Sequence, residues 1–96
     1  MILHTINSSP LSDYALQNCL SYLGDSDYVL LMGDAVISVT VNIEQRSDLL
    51  TLHKNNRLFI LQPDLQARGL SADIGKIIDY AGFVDLSIEC KSQLSW

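Results

Sequence analysis

The stretch "YVLLM" (Tyr28 to Met32) is apolar at every position and stops at Gly33-Asp34. A strand wetted on one face alternates apolar and polar residues, whereas one covered on both faces reads as an unbroken apolar run. A sheet containing this strand therefore needs helices on both sides. "RLFILQ" (57 to 62) has the same character and is ended by Pro63. Two further β-rich runs, Met1 to Ile6 and "KIIDY" (76 to 80), bring the predicted strands to four, and "SQLSW" (92 to 96) adds a short fifth.

The segments between these runs read as helices. Ser9 is placed to cap and Pro10 suits a first helical position, so a helix is expected from about Pro10 to Leu23, ended by Gly24 and the turn-rich "GDSD". "AVISVTVN" (35 to 42) is divided: its β-branched residues favour strand, while its place after a strand and turn favours a short helix, the reading adopted. Residues 43 to 53 set Ile43, Leu49, Leu50 and Leu52 among polar residues, an amphipathic helix. "DLQARGL" is a helical turn closed by Gly69, and "AGFVDLSIECK" a helix with Phe83, Leu86 and Cys90 roughly on one side. Strands alternating with helices predict a three-layer α/β/α fold around a mostly parallel sheet of four to five strands, formed by a single domain over residues 1–96.

Charged residues make up 18% of the chain, below the roughly 25% of ordinary soluble domains, so charge is too sparse to coat the whole surface. The net charge of -5 lies in residues 1 to 45, which hold Asp13, Asp25, Asp27, Asp34 and Glu44 and no Lys or Arg. Such a chain is a poor ligand for a polyanion, and no direct nucleic-acid binding, RNA included, is expected of it. No apolar run approaches the ~18 residues of a membrane span, and "MILHTINSSP" lacks the basic start of a secretory signal. Neither membrane association nor secretion is expected, and the expected location is cytoplasmic. In that reducing compartment Cys19 and Cys90 are free thiols rather than a disulfide. There is no C-x-x-C, and His4 and His53 lie in unrelated segments, so neither a metal nor a cofactor is expected.

Cys19 poses the main chemical question. At ~100° per residue it falls about 60° from Leu16, on the shoulder of the apolar stripe. A reactive thiol wants a helix N-terminus, a cation or a histidine beside it, and no Lys, Arg or His lies between residues 5 and 45. Cys19 therefore reads as a packing thiol, with sulfur carriage as the alternative that tertiary neighbours would have to create. Cys90, beside Lys91 and on the side of Phe83 and Leu86, reads the same way. The turn "MGDAV" follows a strand, where α/β folds bind ligands, but it carries neither a dinucleotide nor a phosphate-loop fingerprint. Asp34 reads as a helix cap, Arg68 as a solvated or capping side chain, and His4 and His53 as structural, since neither histidine has a visible Ser, Cys or Asp partner. Trp96 would stand in water unless covered, either by its own sheet edge or by another subunit; with Leu94 it is a candidate interface residue.

"ILHTINSSP", "VLLMGDAV", "LQPDLQARGL", "IIDYAGFVDLSIEC" and "SQLSW", in this order over nearly the full chain, resemble the TusB/DsrH family. The resemblance implies a DsrE-like fold, in keeping with a helix at 35 to 42. It also implies a heterohexamer with two sister subunits, of TusC/TusD or DsrF/DsrE type, two copies of each. In the Tus branch the complex relays persulfide sulfur toward the 2-thiolation of the tRNA wobble uridine, and the principal sulfur-carrying cysteine belongs to the sister subunit. This chain would then be an accessory, non-catalytic subunit of a sulfurtransferase complex. DsrH-type members carry a cysteine in the first helix that Cys19 in "LQNCLSY" matches, so an accessory sulfur-accepting role for Cys19 in dissimilatory sulfur oxidation is the alternative. A free-standing small-ligand domain using the strand ends near Gly33 and Asp34 is a second alternative. The isolated chain is expected to self-associate, most simply as a dimer.

Overall fold

The computed structural model describes residues 1–96. The elements are β1 (Ile2–Ile6), α1 (Ala15–Tyr22), β2 (Tyr28–Leu31), a 3-10 helix (Gly33–Val39), α2 (Arg46–Lys54), β3 (Leu58–Leu61), α3 (Gln62–Ala67), β4 (Lys76–Ile78), α4 (Tyr80–Glu89) and β5 (Ser92–Ser95). The strands form one wholly parallel sheet in the order β4-β3-β2-β1-β5.

This order dictates the layers. From β1 to β4 each crossover steps one strand in the same direction, so right-handed connections lay α1, the 3-10 helix, α2 and α3 on one face. The chain then returns past β1 to β5, and the reversed step sends α4 to the opposite face. Two hydrophobic clusters follow. Ile6, Val29, Leu31, Leu58 and Ile60 meet Leu16, Cys19, Val36, Leu49 and Leu65 on the thickly covered face. Leu3, Leu30, Phe59, Leu61 and Ile78 meet Leu86 and Cys90 beneath α4. Successive strand residues alternate between the two clusters, which is the physical content of the unbroken apolar runs. Gly75 lets the loop before β4 cross close over β3: its φ is +85°, and a Cβ there would stand 2.6 Å from Ile60 Cδ1.

Several boundaries differ from the sequence reading. Helix α1 begins at Ala15 rather than Pro10. Ser9 instead builds a separate turn, its Oγ accepting from Leu11 N and its carbonyl from Ser12 N and Asp13 N, while Asp13 takes up Ala15 N and Ser8 Oγ. Short polar side chains close together satisfy one another before a helix can use them. The helix ends because Asp27 draws in Gly24 N, not because Gly24 turns left-handed. Ile43 precedes α2 yet packs on the core. Gln62 opens α3, and Asp79 caps α4 by accepting from Gly82 N, so Tyr80 is helical.

Helix α4 is apolar on its outer side as well. Tyr80, Val84 and Ile88, at i, i+4 and i+8, are 59%, 56% and 78% exposed, whereas a helix apolar all round is normally covered.

Candidate functional site

Cys19 lies one turn into α1, completely buried in the larger cluster rather than half-exposed on the shoulder of the stripe. Burial, and then the nearby Asp27 carboxylate, push its thiol up from 9.0 to about 12. Both influences favour the protonated thiol over the thiolate that sulfur transfer requires.

Beside it, residues distant in sequence form a hydrogen-bonded chain. His4, in the middle of β1 and wholly buried, donates from Nε2 to Asp27 Oδ2 at 2.9 Å. Trp96 Nε1 donates to His4 Nδ1 at 3.0 Å. An indole N–H can only donate, so Nδ1 must accept and the ring carries its proton on Nε2. Asp27 also accepts Ile2 N (2.9 Å) and Gly24 N (3.0 Å). Burial alone would raise this carboxyl, but the bonds from His4, Gly24 and Ile2 outweigh it and hold Asp27 at about 2. The pattern resembles part of a catalytic triad but cannot serve as one: both imidazole nitrogens are engaged, and Cys19 gains an anion as neighbour instead of a base. The network ties together β1, the α1–β2 connection and the indole. Arg57 extends it, donating to the Asp27 carbonyl (2.7 Å) and the Gly24 carbonyl (2.6 Å).

Of the other sequence candidates, Trp96 belongs to this network through its indole, whereas Leu94, Cys90 and His53 lie apart from it. Trp96 is partly buried against its own sheet edge, in edge contact with Tyr22 at a ring-centre distance of 5.8 Å, with its backbone N–H bonded to Thr5 O. Leu94 is 38% exposed on the outermost strand. Cys90 is buried under α4, its thiol raised by burial and by Glu89. His53 accepts Gly75 N through Nδ1 at 2.8 Å, a structural clamp.

The turn at the carboxyl end of β2 is internally satisfied. Gly33, at φ +55° where an added Cβ would stand 3.0 Å from Asn7 O, donates its N–H to Asp64 at 2.6 Å. Asp34 caps nothing through its side chain; it pairs instead with Arg68 at 2.9 Å, and Arg68 also holds the Asp64 carbonyl. A cleft of about 500 Å³ near Thr40, Asn42 and Ser71 is bordered by Arg46 and Asp73, which bind each other at 3.1 Å. No three His, Cys, Asp or Glu side chains converge as metal ligands would, and no helix is long and apolar enough to cross a membrane.

The partnership of Asp27 with His4 is what sequence reasoning missed. The signal was present as an obligation: a histidine inside an apolar strand must find a buried partner, and Asp27 directly precedes the next apolar strand.

Comparison with known proteins places these features. The fold matches the crystal structure of the ychN protein from E. coli with a TM-score of 0.76, covering 99% of this chain and 97% of that one at 17% identity. Protein TusB of Pectobacterium parmentieri is 34% identical over 98 residues, spanning 99% of this chain and all of that protein. Protein TusB of Escherichia coli K12 is 35% identical over 100 residues with the same coverage. The family model described as DsrH like protein matches residues 8–93. With relatives of this identity along its length and a family match over most of it, the chain belongs to the DsrH-like family.

Proposed function

We propose that this chain is an accessory, non-carrier subunit of a cytoplasmic sulfur relay that supports 2-thiolation of the tRNA wobble uridine. The observation that carries the reading is the absence of an exposed thiol: both cysteines are buried, and Cys19 is raised to about 12. A persulfide carrier must present a thiolate to its donor and acceptor, and here that task falls to a sister subunit. The proteins named TusB that match the whole chain support the choice of pathway.

The partners are two sister DsrE-like subunits, assembled as a heterohexamer. The outward apolar stripe Tyr80, Val84 and Ile88 on α4 supports a subunit role, since a lone domain leaves it wet. The net charge of -5 leaves tRNA contact to the sisters. The DsrH-type alternative, with Cys19 accepting sulfur, would need the core around α1 to open. The ligand-binding alternative would need Gly33 N and Asp34 released from Asp64 and Arg68.

The test is complementation of a strain lacking this gene with the Cys19→Ser variant, reading 2-thiouridine in bulk tRNA and the native mass of the co-expressed assembly. Thiolation and assembly are expected to persist. Loss of thiolation with the assembly intact would make Cys19 a carrier.

A further inference from the structure

Two strands bound the sheet, and they are protected unequally. Edge strand β4 has three residues, and its first, Lys76, is exposed, a common guard against edge-to-edge pairing. Edge strand β5, Ser92–Ser95, is exposed at every residue, and the stretch from Ser92 to Trp96 contains no charged side chain and no proline. Its pairing with β1 sets Leu94 opposite His4, and Trp96 N bonds to Thr5 O. Because N–H and C=O of alternate residues point to the same edge of a strand, Ser92, Leu94 and Trp96 turn theirs toward β1. Gln93 and Ser95 turn theirs outward.

We infer that β5 is a self-association edge: two copies of this chain pair β5 with β5 in antiparallel fashion about a two-fold axis at Leu94, forming one continuous sheet. In this register Gln93 faces Ser95 of the second copy. The pair exchanges both N–H···O=C bonds, and the symmetric pair does the same. Every outward N–H and C=O of Gln93 and Ser95 is thereby used. Leu94 meets Leu94 of the second copy in the close, non-hydrogen-bonded position, on the face that carries His4 and Trp96.

The second copy is favoured over a foreign strand because the edge is complementary to itself. The chain carries -5 overall, yet no like charges meet across the axis. The nearest charged side chain along the strand, Lys91, lies three residues from Leu94, so the two Lys91 Cα atoms stand ~20 Å apart at ~3.4 Å per residue, beyond the Debye length. A four-residue edge buries less than the roughly 1,200 Å² of a stable specific interface, so the dimer is weak and concentration-dependent. The inference stands apart from the sulfur-relay reading, and its test involves no sulfur chemistry.

Sedimentation equilibrium of the full chain between about 10 and 500 µM, the range in which weak dimers form, reads the association directly. The weight-average mass is expected to rise from 10.7 kDa toward twice that value. Leu94→Lys should hold the chain at monomer mass. Gln93→Pro should do the same, since it deletes an outward donor that β1 does not use. Far-UV circular dichroism melts confirm that both variants fold; if one does not, the other decides. Val84→Lys, on the α4 stripe, should dimerise as the parent does. A parent that stays monomeric throughout overturns the inference, and so does a dimer lost with Val84→Lys but kept in both β5 variants.

Discussion

The burial of Cys19 makes a quantitative claim about its reactivity. Relative to an ordinary thiol at 9.0, a value of about 12 lowers the thiolate fraction near pH 8 by ~1000-fold. A more basic thiolate is intrinsically more nucleophilic. With a Brønsted slope near 0.45, three units return about 20-fold, leaving a deficit of about 50-fold. Complete burial adds to this, because the reagent reaches Sγ only when α1 lifts from the sheet. Iodoacetamide should therefore label Cys19 in the folded protein at least ~50-fold more slowly than in the urea-unfolded chain, and the rate should still be climbing above pH 9. Labelling of the Cys90→Ser variant, followed by intact mass at several pH values, isolates the site. A native rate within a few-fold of the unfolded one, levelling off near pH 8, would refute the reasoning and restore Cys19 as a candidate sulfur acceptor.

Asp27 is held at about 2 against 3.8 when unperturbed, so its contribution of about 2 kcal/mol is fully present above pH ~4 and is lost as the pH falls through that value toward 2. Asp27→Asn should cost about that much at neutral pH and flatten the acid limb of stability in urea titrations; an unchanged acid limb would place the sensitivity elsewhere. Trp96→Phe keeps an aromatic side chain, smaller than the indole, and deletes the donor to His4 Nδ1; it should cost about 1–2 kcal/mol, lowering the midpoint of a thermal melt by several degrees. An identical melt would mean that the bond contributes nothing. The isolated chain should not retain tRNA at physiological salt, and a salt-sensitive micromolar complex would contradict the reading of its charge.

The sequence determined the architecture because its decisive signals are local. Unbroken apolar runs at 28 to 32 and 58 to 61 demand a sheet covered on both faces, and strand-helix alternation makes that sheet parallel. It also showed that no cation or histidine near Cys19 along the chain could activate it. The start of α1 was not legible, since Ser8, Ser9, Ser12 and Asp13 choose one another over the helix only once the turn is formed. Strand order likewise emerges only when β5 returns past β1, and that return decides which helix lies alone on its face and which edge stays open. The meeting of His4, Asp27 and Trp96 spans 92 residues, and no periodicity encodes it. Only tertiary packing could bring an anion rather than a cation to the side of Cys19. The charge nearest a buried thiol is set by the crossing of chain segments, and that charge separates a packing residue from a nucleophile.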